Sequence, residues 1–247
     1  MPSQFEPTNP RYYFSGDSTL PFDILSLAPT LPDLLRVSSE ELVRVLDGKL
    51  TLDSQVTEPT VDISGSVYIG AGTKIHSSVS ISGPVYIGRN CSIRHGAQLR
   101  EGTILGDGCV VGHDAEIKNS ICMTGSKMQS GVFIGDSILG IGARVGSGTI
   151  LSNRRFDQGT VRLGSGDVKL STDRQFFGAI LGDYVRLGAN IVTSPGTLVG
   201  PYTWVASLVS LYGFVPRAKM VIIKQELEYR DKQELELRSG QGEYEHL

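Results

Sequence analysis

Chemically active side chains recur at one interval in this chain of 247 residues. Arg100 and Lys118 are 18 residues apart, and so are His95 and His113. Two cations held side by side repel each other unless an anion or a carboxylate lies between them. The first pair therefore indicates a phosphate site, or else two solvated charges that pair with carboxylates. The carboxylates available for such pairing are Asp107, Asp114 and Glu116.

An interval of 18 residues brings side chains together only if the chain returns on itself at that period, and the sequence contains such a repeat. Hexapeptides follow one another without a break from Val61 to Ser126, with an aliphatic residue at position three of each unit. Each unit is predicted to form a short strand and a turn, and three units close one triangular coil. Coils of this kind stack about 4.8 Å apart through parallel strand pairing.

The repeat predicts an all-β fold, a parallel β-helix with short helical extensions at both ends. A β-sandwich would place its turns every ~8–12 residues and is disfavoured. Two units of five residues interrupt the period between Lys127 and Asp136, and residues 155–178 leave it altogether. We expect this charged insertion to extend toward a neighbouring chain. The predicted N-terminal extension, β-helix and C-terminal helix with tail cover residues 1–60, 61–224 and 225–247.

The N-terminal extension is predicted to contain one helix. Ser38 and Glu41 form a capping-box pattern, and the apolar positions Leu42, Val45 and Leu46 follow on one face. Gly48 ends the pattern. The C-terminal helix is expected over residues 225–238.

Composition excludes several classes of protein. Hydrophobic residues make up 40% and charged residues 20% of the chain, and the net charge is −3, which argues against a membrane protein, a disordered chain and a general nucleic-acid binder. The N-terminus lacks the pattern of a secretory signal. The odd number of cysteines favours a reducing compartment, and we expect a cytoplasmic protein. Cys91 and Cys109 are predicted to stack inside the coil and Cys122 to point outward, and no metal site is expected.

The segment from Ala115 to Val161 contains the series EIKNS, GSK, IGDSILG and GSGT. It resembles the left-handed β-helix acyltransferases, and within them the acetyltransferase domain of the N-acetylglucosamine-1-phosphate uridylyltransferase/glucosamine-1-phosphate acetyltransferases of the archaeal type. The resemblance covers about residues 60–225 and implies a left-handed β-helix. It also implies a homotrimer with sites between adjacent prisms, acetyl-CoA or another acyl-CoA as co-substrate, and a hexosamine 1-phosphate or a related nucleotide sugar as acceptor. No nucleotide-binding glycine loop precedes the repeat, so we expect acyl transfer and no nucleotidyl transfer.

The same resemblance implies roles for individual residues. Arg94 and Lys118 match the residues that bind the sugar phosphate, and Arg100 is a further candidate. Asn153 matches an asparagine of the family, and Arg154 stands where a tyrosine is frequent. Small residues that would allow the pantetheine arm of acyl-CoA to approach are Ser147, Ala179 and Ala206.

The catalytic base is where this sequence departs from the family. Ser130 occupies the position of the catalytic histidine, Phe133 that of a tyrosine and Arg144 that of an asparagine. A serine hydroxyl is no general base near neutral pH, whereas imidazole, with a pKa of ~6.5, is suited to that role. His113 is the nearest candidate to replace it, although a histidine at a turn more often contacts solvent. Two hypotheses remain: an acyltransferase with an altered base, and a non-catalytic sugar-phosphate binder or trimeric scaffold.

Overall fold

In the computed structural model, which describes residues 8–53, 60–165 and 168–231, the repeat forms a triangular prism of three parallel sheets. We name the sheets A, C and B in the order in which each coil passes through them. The strands of sheet A are Leu50–Leu52, Val67–Ile69, Val85–Ile87, Thr103–Leu105, Ile121–Cys122, Ile138–Leu139, Ala179–Leu181, Thr197–Val199 and Phe214–Val215. The strands of sheet B are Asp62–Ser64, Ser80–Ser82, Gln98–Leu99, Glu116–Lys118, Phe133–Gly135, Ile150–Leu151, Val192–Thr193 and Ser210–Leu211. The strands of sheet C are Lys74–Ile75, Ser92–Ile93, Val110–Val111, Lys127–Met128, Arg144–Val145, Arg186–Leu187, Trp204–Val205 and Met220–Val221.

The inward residues form one continuous core. Position three of the hexapeptides faces inward, as predicted, so that Ile69, Ile87 and Leu105 lie in register on adjacent coils and are fully buried. Cys91 and Cys109 are buried in the same core. The aliphatic period therefore sets both the strand register and the interior of the prism.

The second predicted short unit, residues 132–136, is confirmed, but the first is residues 115–119 and not 127–131. Ile121 pairs with Ile104, 17 positions earlier, and Phe133 pairs with Glu116, again 17 positions earlier. The five-residue units are therefore residues 115–119 and 132–136, which stack on each other at one corner. As a consequence Cys122 points into the prism and not outward, and its burial raises the pKa of the thiol.

The N-terminal extension covers the outer surface of sheet A. It contains helices α1 (Pro10–Tyr13), α2 (Ile24–Leu27) and α3 (Leu31–Leu46). Outward residues of sheet A are aromatic or aliphatic, and they form a second core with buried side chains of the extension. These outward residues are Tyr68, Tyr86, Ile104, Ile121, Ile138, Ile180, Leu198 and Phe214. Sheets B and C carry no such cover among the described residues.

Helix α3 is longer than the sequence pattern suggested. It begins after Thr30, eight residues before Ser38, which lies buried inside the helix and does not cap it. Leu42 and Leu46 are buried as expected, whereas Val45 is exposed. The helix stops at Asp47, whose left-handed backbone (φ 47°) precedes Gly48.

The insertion folds back onto its own prism. Its antiparallel hairpin consists of Arg162–Ser165 and Val168–Ser171, and Val161, Leu163 and Phe177 are buried in the core of the extension. Phe156 is fully exposed. At the C-terminus, residues 225–231 are not helical, and the rest of the predicted helix lies outside the described residues. Within the described ranges, no helix has the length and apolar character needed to cross a membrane.

Candidate functional site

The corner where the chain passes from sheet B to sheet A, the B–A corner, contains a buried carboxylate. Asp136 is 2% exposed. Its Oδ1 accepts a hydrogen bond from Asn119 Nδ2 at 2.5 Å, and its Oδ2 accepts one from Asn153 Nδ2 at 2.7 Å. The three residues follow at intervals of 17 because the short units stack at this corner.

The backbone of this corner suits those residue types. Asn119 and Asp136 have φ values of 44° and 47°, in the left-handed region that Asn and Asp tolerate better than most residues. A Cβ at position 135 would lie 2.5 Å from Asn153 Nδ2. Glycine at this position therefore leaves room for the amide of Asn153. The sequence thus fixes the positions of both amides around the carboxylate.

The insertion supplies a third partner for Asp136. Arg174 places a guanidinium nitrogen 3.5 Å from Asp136 Oδ1. The N–H groups of Phe177 and Gly178 donate to the backbone oxygens of Asn153 and Asp136 at 2.8 Å each. A buried carboxylate is stable only with partners of this kind, so the carboxylate and the insertion hold each other in place.

Lys118 and Arg154 contact the same aromatic ring. Lys118 Nζ lies 5.2 Å from the centroid of Phe176, and Arg154 Cζ lies 5.3 Å from it. Neither cation forms an ion pair with a carboxylate in the part of the chain that the structure describes. Two cations without carboxylate partners leave this corner able to attract an anion.

Arg100 is already paired. The register of Leu99 with Ile117 places it beside Lys118, as predicted, but its guanidinium lies 2.8 Å from Glu116 and 3.5 Å from Glu101. The hydrogen bond from Arg100 to Glu116 raises the pKa of this guanidinium. The alternative of carboxylate pairing therefore applies to Arg100 and not to Lys118.

A cavity of about 570 Å³, the corner cavity, adjoins these residues. It lies between helix α3, the B–A corner and the insertion. Its lining residues are Ser39, Val43, Pro84, Glu101, Gly102, Lys118, Asn119, Asp136, Arg174, Gln175 and Phe176. Ser39 also donates a hydrogen bond to Asn119 Oδ1 at 2.9 Å, so that the extension is tied to this corner.

The opposite edge of sheet B, where the chain arrives from sheet C, is the C–B corner. His76 and His95 have ring centroids 4.9 Å apart, and His95 and His113 stack at 5.5 Å. The Oγ of Ser77 lies 2.7 Å from His95 Nδ1. The predicted stacking of histidines is therefore present, on the solvent side of the corner.

Ser130 continues this column directly above His113. Gly131 N donates to His113 O at 2.8 Å, and Gly148 N donates to Ser130 O at 3.0 Å, so Ser147 follows one coil later. The interval from His113 to Ser130 is 17 residues and not 18, because the five-residue unit 115–119 lies between them. His113 is thus one strand spacing from Ser130.

The remaining predicted residues are distributed over the prism. Arg94 is exposed at the C–B corner and does not meet Lys118 within one chain. Phe133 lies in the middle of sheet B, and Arg144 points outward from sheet C. Ala179 is inside the prism, and its N–H donates to Ser137 Oγ at 3.0 Å. The structure therefore places Ala179 away from any surface groove.

A groove of about 450 Å³, the sheet C groove, runs beside Ser147. It contains Gly146 and Gly188, and Arg144 and Arg186 flank it. Trp204 lies under the guanidinium of Arg186, 5.8 Å from its Cζ. Ala206 is half-buried at the same corner, one coil beyond Gly188.

Sequence reasoning missed Asp136, Arg174 and Phe176 as members of the site. The interval of 17 that links Asn119, Asp136 and Asn153 was the available signal for the first of them. No comparable signal points to the other two, because they come from the insertion. In the described parts of the chain, no group of three or more potential metal ligands is arranged to hold an ion.

Residues 81–210 match the sequence model of a family described as the GMPPB C-terminal domain. Over 86 residues the chain is 37% identical to the bifunctional sugar-1-phosphate nucleotidylyltransferase/acetyltransferase of Sulfurisphaera tokodaii. The aligned segment makes up 35% of this chain and 21% of that protein. It is 33% identical over 116 residues to the bifunctional protein GlmU of Methanococcus aeolicus. This aligned segment makes up 47% of this chain and 28% of that protein. The chain thus spans about a fifth to a quarter of the length of these relatives.

Among solved structures, the UDP-N-acetylglucosamine acyltransferase of Francisella novicida superposes with a TM-score of 0.51 and 19% identity. The match covers 69% of this chain and 58% of that one. At this identity the likeness concerns the fold alone. It confirms the predicted left-handed parallel β-helix, and the sequence relatives confirm the predicted resemblance to acetyltransferase domains.

Proposed function

The chain belongs to the GMPPB C-terminal domain family, whose sequence model matches more than half of it, and from this premise we propose that it is an acyl-CoA-dependent acyltransferase acting on a phosphorylated amino sugar. The observation that carries the proposal is the arrangement around sheet B. One edge of this sheet has imidazoles beside Ser130, and the other edge has the unpaired cations Lys118 and Arg154. An amino sugar phosphate has the matching polarity, with an amine at one end and a phosphate at the other.

The phosphate is assigned to the B–A corner. Lys118 is the principal contact because no carboxylate neutralises it among the described residues. Arg154 is a second candidate contact, because its guanidinium lies over the same Phe176 ring as Lys118. Arg100 lies next to Lys118 but has to leave Glu116 to contribute. Asn153 donates a hydrogen bond to Asp136, and this contact fixes the chain just after strand Ile150–Leu151.

The acyl group is assigned to the C–B corner. The amine nitrogen attacks the thioester carbonyl carbon, the C–S bond breaks, and the thiolate of CoA leaves. The proton lost by the amine goes to a general base, for which His113 is the nearest imidazole to the position of Ser130. General-base assistance is typically worth ~10²–10⁴-fold in rate.

The sheet C groove is proposed to hold acyl-CoA. Gly146, Ser147 and Gly188 have small or no side chains and leave room for the pantetheine arm. Arg144 and Arg186 provide cations for the phosphates of CoA, and Ala206 extends the groove at its end.

The working assembly is proposed to be a homotrimer. Sheet A is covered by the extension, whereas Phe133, Ile150 and Val192 form a partly exposed apolar column on sheet B. A neighbouring sheet C would cover this column and bring a second chain to the substrate. Light scattering should give a mass near three times 26.6 kDa, and a stable monomer at micromolar concentration would contradict the assembly.

The activity is tested by thiol release from acetyl-CoA with glucosamine 1-phosphate as acceptor, together with calorimetric titration of each ligand. We expect binding of acetyl-CoA and slow turnover. If neither acetyl-CoA nor another acyl-CoA binds, the acyltransferase proposal fails.

A second candidate function is a non-catalytic sugar-phosphate binder or scaffold. Ser130 favours it, because the side chain at the position of the catalytic histidine cannot accept a proton near neutral pH. Sugar-phosphate binding without acyl-CoA binding would identify this alternative.

A further inference from the structure

The corner cavity extends beyond the point where the proposed sugar phosphate ends. Lys118 lies at the end of a sheet B strand, and the cavity continues from it around the B–A corner, away from Phe133 and Ser130. Two of its walls come from helix α3 and the insertion, which are not part of the repeating prism. A sugar 1-phosphate on sheet B would enter this space of about 570 Å³ only with its phosphate, at Lys118.

The walls of the cavity suit a flat ring with polar edges. Val43, Pro84 and Phe176 provide apolar surface. Gln175 adds an amide that can donate and accept hydrogen bonds, and Ser39, whose proton is donated to Asn119, adds a hydroxyl oxygen that can accept. Apolar walls with a few polar groups are typical of sites for aromatic heterocycles.

Two cationic side chains at the entrance can contact a diphosphate. Lys118 has no carboxylate partner among the described residues, and Arg174, which lies 3.5 Å from Asp136 and donates from Nε to Phe176 O at 3.3 Å, has further N–H groups. Glu101, the remaining acidic residue of the lining, contacts Arg100 at 3.5 Å. The cavity entrance therefore has cationic groups from both the prism and the insertion.

We propose that the corner cavity binds the nucleoside of a nucleoside-diphosphate sugar, so that the acceptor is a nucleotide-activated amino sugar and not a free sugar 1-phosphate. This inference rests on the proposed function in one respect, the placement of the phosphate at Lys118. The sugar then lies along sheet B and the nucleoside lies between Val43 and Phe176. The diphosphate connects them across Lys118 and Arg174.

The experiment is a calorimetric titration of the full-length protein with matched pairs of ligands. The pairs are UDP-N-acetylglucosamine, GDP-mannose and dTDP-glucose, each beside the corresponding sugar 1-phosphate. We expect the nucleotide sugar to bind at least tenfold more tightly than its sugar 1-phosphate in one or more pairs. A gain below tenfold in every pair overturns the inference.

Two variants on one helix locate the binding. Val43 lines the cavity and is 58% exposed, whereas Val45 is 42% exposed on the same helix and does not line it. Val43→Trp should fill the cavity and remove the tenfold advantage while leaving sugar 1-phosphate binding unchanged. Val45→Trp should change neither affinity, and an unchanged advantage in Val43→Trp would also overturn the inference.

The outcomes separate this inference from the proposed function. If sugar 1-phosphates bind and the nucleotide adds nothing, the nucleoside site is refuted and the proposed function stands. If no sugar phosphate of either kind binds, both fail. Melting temperatures of the two tryptophan variants, measured alongside, show whether each is folded.

Discussion

At the B–A corner a buried carboxylate gathers two amides and a guanidinium, whereas at the C–B corner a column of imidazoles and hydroxyls is open to solvent. Both corners are products of the same repeat. They differ because the extension and the insertion cover the first corner, and no described segment covers the second. A side-chain change at the open corner alters chemistry at little cost in stability, but a change at the covered corner affects both.

The largest effect on stability is expected for Asp136→Ala. The variant leaves Arg174 without its carboxylate and two amides without their acceptor, and breaking a buried pair in this way typically costs ~3–5 kcal/mol. Ser130→Ala at the open corner should change the free energy of unfolding by less than ~0.5 kcal/mol. Urea denaturation measures both values, and similar losses in the two variants would contradict the contrast between the corners.

The open corner should instead control turnover. His113→Ala is expected to lower the rate of thiol release by ~10²–10⁴-fold, because it removes the proposed general base. Ser130→His should raise that rate, since it places an imidazole on the adjacent coil, although Phe133 and Arg144 can limit the gain. Unchanged melting temperatures serve as the control, and a His113→Ala protein with full activity would show that the base lies elsewhere.

The period of the repeat explains why the prism could be predicted from the sequence. Inward aliphatic residues recur at position three, because burial of a polar side chain without a partner costs free energy, although Thr193 occupies one such position. The frame failed locally at Ile121, Cys122 and Met123, where three apolar residues follow each other. All three are buried, because the extension also covers the outer surface of sheet A. Hydrophobicity alone therefore could not show which of them faces inward.

The covered corner was less accessible to prediction than the open one. His95, His113 and Ser130 lie on successive coils, so their proximity follows from the repeat. Asp136 meets Arg174, 38 residues away, and Asn119 meets Ser39, 80 residues away. Contacts between the prism and its additions have no period, and only the folded chain reveals them.

A smaller effect distinguishes ligand binding from structure at the covered corner. Lys118→Ala should weaken the binding of a sugar phosphate by ~10–100-fold, as expected for loss of a charge-assisted hydrogen bond worth ~1.5–3 kcal/mol. Its stability should fall by no more than ~1 kcal/mol, because only the contact with Phe176 is lost. Lys127→Ala, an exposed lysine of sheet C, is the matched control for calorimetry. Equal loss of affinity in both variants would indicate a general charge effect.

The smallest effect is expected for Arg100→Ala, and it tests whether pairing decides which cation binds the phosphate. The contacts of Arg100 with Glu116 and Glu101 are partly exposed, and pairs of this kind contribute ~0.2–1 kcal/mol. Because Glu116 already holds the guanidinium, we expect sugar-phosphate affinity to fall less than about threefold, a change below ~0.7 kcal/mol. Glu116→Gln should free Arg100 and strengthen the binding, more so at low salt, where the released charge is least screened. If Arg100→Ala instead loses as much affinity as Lys118→Ala, the ligand displaces Glu116, and both cations of the 18-residue pair hold the phosphate.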